Sequence, residues 1–414
     1  MAYAHPFIDI LFLLAVLVLW AMIFYQLFFT YAGYIYRRRA LMEKQRFAEK
    51  GMDDPPPVSI LIPAHNEALV IEKTLEAMRS LIYPTERLEI IVIDDGSTDD
   101  TARIVQRISQ IDARVRLFSV PPEEATQGKS HALNLGLETA AHDLIAVYDA
   151  DNRPEPEALK FLATALMDKP ELVSVFGKFR TLNKQRNLLT RFINIETLSF
   201  QYMVQAGRYL VSGIAILPGT NFIIRREALT KIGGWDEAAL TEDTELSIRL
   251  YEQGHEIKFL PYAVTWEEEP ERWGTWLRQR TRWVRGNFYV LRKYLLPSFH
   301  FRKRSLTMEL IYLFLLYYLF LFSILLSHLF FIASGLGWIA VLSPGPYFAV
   351  WMCAFALFVV ELSLTAAYDD ELTLLLMYFT YCQVWIILVF RAIYQEFRQK
   401  GKAEWEKTRR FGTE

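Results

Sequence analysis

The chain has 414 residues, 52% of them hydrophobic and 14% aromatic, with 45 basic against 47 acidic side chains and a formal net charge of −2. That length exceeds one hydrophobic core, since single cores rarely grow past roughly 250–300 residues. The balanced charge argues against a nucleic-acid partner, and the two cysteines, Cys353 and Cys382, both in apolar segments, give neither a disulfide framework nor zinc spacing.

Residues 6–36 carry a single charge, Asp9, and end at Arg37, Arg38 and Arg39. The stretch is long enough to cross about 30 Å of hydrocarbon, and it has no small-residue cleavage site, so it reads as a retained transmembrane helix rather than a signal peptide. The three arginines place the adjoining downstream residues in the cytoplasm. Residues 1–50 therefore form a transmembrane helix with a basic juxtamembrane segment.

The linker GMDDPPP at 51–57 cannot continue a helix. From there to about residue 300 the pattern is soluble α/β. Short continuous apolar runs at 58–63, 88–94, 115–120 and 143–149 have the character of buried parallel strands, and helical stretches lie between them. This β-α-β alternation predicts a mostly parallel sheet with helices on both faces, whose ligands collect at the carboxyl ends of the strands. Residues 155–289 read as mixed α and β. Within them, 185–210 predicts an amphipathic helix that either packs on the core or lies at the membrane interface.

Apolar character returns in 301–397, where FRKRS at 301–305 precedes three further candidate spans, making four in all. Residues 398–414 form a basic tail. Three spans after a cytoplasmic domain would put that tail outside and the acidic YDDEL loop inside, the reverse of the positive-inside preference. A re-entrant or interfacial segment would resolve the conflict, so the number of spans stays open.

Chemistry-bearing residues fall at the expected strand ends. HNE at 65–67 follows the first strand, DDGSTD at 94–99 the second and DAD at 149–151 the fourth. The carboxylates of DAD could hold a hard divalent cation whose other positions go to water and phosphate, or could simply form a turn. DDGSTD could form a turn and cap the next helix, or could bind a base and ribose. Lys129, after Gly128, offers a point charge to a diphosphate, although Gly-Lys pairs are frequent in ordinary loops. TED, Thr241-Glu242-Asp243, reads either as an N-cap with first-turn acids or as a site for a general base. In QRTRW at 279–283, Arg282 can grip a pyrophosphate, Trp283 offers a flat face to a sugar ring, and Gln279 shares the face of Arg282 one turn away.

With HNE, DDGSTD, DAD, TED and QRTRW in this order, the chain resembles the membrane-embedded family 2 glycosyltransferases, which include synthases of cellulose, chitin, hyaluronan and poly-N-acetylglucosamine. The motifs cover roughly residues 58–288. The resemblance implies a GT-A fold, an α/β nucleotide-diphospho-sugar transferase domain joined to an α-helical transmembrane region, that takes a UDP-sugar with Mg²⁺ or Mn²⁺ on the cytoplasmic side of the plasma membrane. By that likeness Asp151, and Asp149 with it, would hold the metal; Ala64, Glu67, Asp94, Asp95 and Lys129 would line the UDP site. Asp243, with Thr241 and Glu242, would form the catalytic triplet and Asp243 would be the base. Arg282 would bind the diphosphate, while Gln279, Trp283 and the Pro218-Gly219-Thr220 turn would lie at the acceptor end. Ala64, His65 and ILPGTNF at 216–222 depart from the cellulose synthase pattern.

The resulting expectation is an inverting, processive enzyme that polymerises a β-linked hexose from UDP-N-acetylglucosamine, with UDP-glucose second, and passes the chain across the membrane. Its partners would be the UDP-sugar donor, the growing polysaccharide and membrane lipids, with no nucleic acid and any envelope subunit unknown. A non-processive enzyme making a glycolipid, and a transporter with a non-catalytic transferase domain, stand as the alternatives.

Overall fold

In the computed structural model, residues 6–50, 54–339, 345, 347–350, 352–356, 376–398 and 412 are described. Eight strands form one sheet: β1 (Val58–Ala64), β2 (Leu88–Asp94), β3 (Val115–Ser119), β4 (Leu144–Val147), β5 (Arg153–Pro154), β6 (Leu172–Thr181), β7 (Phe222–Arg225) and β8 (Glu256–Glu267). Their spatial order is β3-β2-β1-β4-β7-β6-β8-β5. The four expected strands are present and mutually parallel, with Ile60 opposite both Ile90 and Ala146. Every residue of β2 and β4 is buried, which is why these segments read as unbroken apolar runs. β3 lies at the sheet edge and exposes Arg116 and Ser119 accordingly.

The second half turns the sheet over. β7 runs antiparallel to both β4 and β6, and β5 runs antiparallel to β8. Gly177 makes the β6–β8 approach feasible, because a Cβ there would sit 2.0 Å from the carbonyl oxygen of Ala263. The stretch expected as one amphipathic helix is broken instead: Leu188–Ser199 is α-helical, Phe200–Gln205 is a π-helical turn, and Ala206–Ser212 resumes the α-helix. It packs on the N-terminal helix, where a Cβ on Gly207 would meet the Phe29 carbonyl oxygen at 2.2 Å and Tyr36 and Tyr209 meet edge to face.

That N-terminal helix, Pro6–Lys50, has 45 residues. At 1.5 Å per residue it is about 67 Å long, roughly twice the hydrocarbon thickness. Its second half is fastened to the sheet domain. The Tyr36 hydroxyl donates to the Phe259 carbonyl at 2.5 Å, Glu43 accepts from Lys258 at 2.5 Å and Tyr262 at 3.2 Å, and Arg46 pairs with Asp168 at 2.8 Å.

Among the described residues two helices are long and apolar enough to cross a membrane, Pro6–Glu49 and Arg304–Gly335. The third expected span falls largely outside the described residues, as do the YDDEL loop and all of the tail except Gly412. Of the fourth, residues 376–398 form a helical run that lies beside the helix Trp273–Tyr294. Trp385 meets Trp276 edge to face, and Glu396 pairs with Arg285 at 3.3 Å and with Arg292. Both cysteines are free.

The helix Trp273–Tyr294 also crosses the start of the helix Glu242–Glu252. A Cβ on Gly286 would lie 2.4 Å from Thr241 Cγ2 and 2.5 Å from its Oγ1, so only glycine permits this approach. Gly286→Val should lower unfolding free energy by about 1–3 kcal/mol, the usual cost of overpacking, and lower the thermal midpoint of the detergent-solubilised protein. Adding Thr241→Ala should recover part of that loss; equal midpoints for Gly286→Val and the parent would refute the contact.

Candidate active site

The strand ends of β1 and β2 are tied together by short polar turns. Asn66, at φ 56°, accepts the backbone N–H groups of Thr98 at 2.7 Å and Asp99 at 3.2 Å, and the Asp95 N–H donates to the Ala64 carbonyl at 2.8 Å. Asp94 Oδ1 accepts the Ser97 N–H at 3.2 Å, which makes DDGSTD a turn. The helix behind it begins at Thr101, where Asp99 accepts the Thr101 N–H at 3.0 Å. Asp95 Oδ1 accepts the Thr126 N–H at 2.6 Å and so holds the loop leading to Lys129. Glu67, Asp94 and Asp95 are all buried, on the same rim.

Lys129 is the centre of the arrangement. It opens the helix Lys129–Thr139, with Gly128 at φ 107° before it, and its ammonium lies 2.7 Å from Asp149 Oδ1 and 3.1 Å from Glu242 Oε1. It also donates to the Gly219 carbonyl at 2.9 Å. Burial works against its charge, but the two carboxylates outweigh burial and hold its pKa above the ordinary lysine value. Gly219, at φ 78°, is close enough that a Cβ would lie 3.1 Å from Asp243 Oδ2 and 3.4 Å from Lys129 Nζ. Segments distant in sequence, carrying Lys129, Asp149, Gly219, Glu242 and Asp243, therefore meet at one point.

Asp243 lies in the first turn of the helix Glu242–Glu252, and its Oδ1 accepts the Thr244 N–H at 2.7 Å. Burial, and after it the charge of Glu242, push its pKa up to about 7, against the opposing pull of Lys129, the Thr244 N–H and Arg282. A carboxylate poised near neutrality can take a proton from a hydroxyl and release it again. Thr241 is the N-cap residue by position, but its side chain makes no capping bond; its hydroxyl is buried against Gly286 without a hydrogen-bond partner. The simple capping reading of TED therefore fails at Thr241.

Arg282 brings QRTRW to the same place, donating to the Leu240 carbonyl at 3.3 Å just ahead of TED. Trp283 is half-buried, with the Arg280 guanidinium 3.9 Å from its ring centroid. Gln279 Oε1 accepts from Arg280 at 2.8 Å.

DAD is held differently at its two acids. Asp149 faces Lys129, and its N–H donates to Thr220 Oγ1 at 3.0 Å. Asp151 is buried, and its Oδ2 accepts the Glu268 N–H at 3.3 Å. Among the described residues no group of three or more His, Cys, Asp or Glu side chains converges as a metal cage. Two carboxylates of hard oxygen character nonetheless match a cation of the Mg²⁺ type, which is ordinarily held by one or two carboxylates together with substrate phosphates.

Sequence reasoning missed three residues that order this site. Asn152 is fully buried and accepts both the Thr220 hydroxyl and, at 3.3 Å, the Asp149 N–H, which joins DAD to the Pro218-Gly219-Thr220 turn. Its place directly after DAD was the available signal. Gly286, one turn beyond Arg282, and Arg280, inside the motif itself, give no comparable sign, because their importance depends on which helices cross.

Comparison with known proteins identifies the family and the fold. Residues 55–286 match the family described as "Glycosyltransferase like family 2". The chain is 42% identical to the probable glycosyltransferase YdaM of Bacillus subtilis, over 97% of this chain and 98% of that protein. It is 31% identical to the poly-beta-1,6-N-acetyl-D-glucosamine synthase of Staphylococcus epidermidis, over 60% of this chain and 59% of the synthase. Among solved structures, the mannosyltransferase PcManGT of Pyrobaculum calidifontis, in complex with GDP-Man and Mn²⁺, superposes with a TM-score of 0.58 at 21% identity, over 88% of this chain and 98% of that one, a likeness of fold. The chain is a transferase with a GT-A-like sheet domain and belongs to glycosyltransferase family 2.

Proposed function

We propose that the chain is an inverting, metal-dependent, processive synthase that builds a β-linked hexose polymer from a UDP-sugar on the cytoplasmic side and passes it across the plasma membrane. The observation that carries this reading is the convergence on Lys129: Asp149 and Glu242 pair with it while Asp243, titrating near neutrality, lies beside Gly219. Asp243 takes the proton of the attacking acceptor hydroxyl. Lys129 and Arg282 receive the diphosphate, whose negative charge grows as the bond to the sugar breaks. Glu67, Asp94 and Asp95 line the uridine end of the cleft. Gln279, Trp283 and the Pro218-Gly219-Thr220 turn hold the acceptor.

Asp151 and Asp149 would hold Mg²⁺ or Mn²⁺, which when bound supplies positive charge to the diphosphate. A leaving group so neutralised needs no protonation, and therefore a single base is enough. A glycosidase, by contrast, needs a second carboxylate acting as acid. One displacement turns an α-linked donor into a β-linked product.

UDP-N-acetylglucosamine is the first donor, supported by the poly-beta-1,6-N-acetyl-D-glucosamine synthase relatives, and UDP-glucose the second. The two apolar helices and their flanking arginines support a multi-pass protein with its sheet domain in the cytoplasm. Gly412 bears on the side of the tail: its N–H donates to Oε2 of Glu268 at 3.1 Å, the same residue whose backbone N–H bonds Asp151. This supports a cytoplasmic C-terminus, in keeping with the basic tail.

The central test is UDP release in membranes from a panel of UDP-sugars with Mg²⁺ or Mn²⁺, with sizing of the product and digestion by linkage-specific glycanases. A ladder of β-linked oligomers is expected. A single glycolipid would overturn processivity, and no UDP release from any donor would overturn the enzyme reading.

Asp243→Asn should retain UDP binding and lose about 10²–10⁴-fold in kcat, the usual worth of a general base. Near parental polymer output would remove Asp243 from that role. Because the base works only when deprotonated and its pKa is raised to about 7, kcat/KM should rise with pH through a limb near 7. A profile flat from about pH 5.5 to 8.5, measured at about 0.15 M ionic strength to fix screening, would exclude Asp243 as the titrating group.

A further inference from the structure

The guanidinium of Arg280 is almost fully buried, 1% exposed, in the middle of the QRTRW motif. It meets three groups at once. It donates to Gln279 Oε1 at 2.8 Å, to Glu196 Oε2 at 2.8 and 3.2 Å, and stacks over Trp283 with its carbon 3.9 Å from the ring centroid. Glu196 belongs to the helix Leu188–Ser199, just before the π-helical turn. The same Glu196 oxygen also accepts the Tyr381 hydroxyl at 2.6 Å, and Tyr381 in turn accepts the indole N–H of Trp276 at 2.8 Å. Tyr381 comes from the apolar C-terminal part of the chain, 185 residues after Glu196, and is itself 1% exposed.

A buried cation of this kind needs a full set of partners, since leaving one charge unpaired inside a protein is costly. Arginine also has a planar fork, so its orientation is fixed by the acceptors it reaches and its flat face then fixes whatever stacks upon it. Glu196 and Tyr381 set the plane of Arg280, and Arg280 sets the plane of Trp283 and the amide of Gln279.

We propose that Arg280, Glu196 and Tyr381 form a positioning relay through which the C-terminal apolar segment orients the acceptor-binding side chains Trp283 and Gln279. This rests on the reading of those two residues as the acceptor site. Tyr381 touches no reacting group; it acts through Glu196 and Arg280. The consequence is that alignment of the sugar acceptor depends on the seating of a segment outside the sheet domain, so that the acceptor end of the cleft is complete only when that segment is docked.

The test uses the full-length protein in nanodiscs, with UDP-N-acetylglucosamine as donor and a soluble N-acetylglucosamine trimer as acceptor, and 5-fluorotryptophan labelling for ¹⁹F NMR. Tyr381→Phe removes one hydroxyl and keeps the ring. It should raise the acceptor KM roughly tenfold, in line with loss of a hydrogen bond to a charged group, and leave the donor KM within about twofold. Glu196→Gln should act in the same direction, and so should Arg280→Lys, because an ammonium lacks the planar fork. The Trp283 resonance, identified by its loss in Trp283→Phe, should shift in Tyr381→Phe even without substrate.

Donor and acceptor KM rising together, or neither rising, would overturn the relay. So would a Trp283 resonance in Tyr381→Phe that coincides with the parent. Trp283→Ala is measured alongside: if it leaves the acceptor KM unchanged, the acceptor assignment of Trp283 is lost, and the relay with it. If Trp283→Ala raises the acceptor KM and Tyr381→Phe does not, the relay alone is lost.

Discussion

One ammonium group makes the cleft feasible. Asp149 arrives from one segment and the adjacent Glu242 and Asp243 from another, and their negative charges would repel one another in a half-buried space. Lys129 answers this with two ion pairs and a bond to the Gly219 carbonyl, which also draws the Pro218-Gly219-Thr220 turn against Asp243. Compensation is unequal. Glu242 pairs directly, whereas Asp243 is left with desolvation and a like-charged neighbour, so its pKa climbs while the cluster as a whole remains balanced. In the proposed function this same ammonium is the group that receives the diphosphate.

The surrounding fold keeps these groups in register by close approaches rather than by a large number of polar contacts. Gly286 lets the QRTRW helix press on Thr241, Gly219 lets a backbone turn press on Asp243, and Asn152 couples that turn to DAD. The first and third of these link elements more than forty residues apart. A Cβ at either glycine, or loss of the amide at Asn152, would displace the side chains these contacts hold, and reaction geometry tolerates little of that.

Much of the first half is legible in the sequence because local rules act there without competition. Buried parallel strands must be apolar throughout, so 58–63, 88–94, 115–120 and 143–149 stand out, and their carboxyl ends locate HNE, DDGSTD and DAD. Legibility fades where tertiary packing takes over. The run 185–210 has helical periodicity, but its π-helical turn answers to the N-terminal helix passing beside Gly207, a partner more than 150 residues away. Arg280 reads like any basic residue between Gln279 and Arg282. Its meaning depends on Glu196 and Tyr381, and no spacing rule connects positions so far apart.

The long N-terminal helix bears on how a soluble reaction is joined to a membrane. If its apolar half spans the bilayer, its second half leaves the membrane still helical and is fastened to β8 and to the helix before β6 through Tyr36, Glu43 and Arg46. A flexible linker would let the sheet domain tumble beneath the membrane. A continuous helix, with Tyr36 and Glu43 bonded to Phe259 and Lys258 in β8, holds the domain at one height and one orientation instead. The run 376–398, for its part, lies along the QRTRW helix and reaches Glu196. The sheet domain is thus braced by the N-terminal helix on one side and by the run 376–398 on the other.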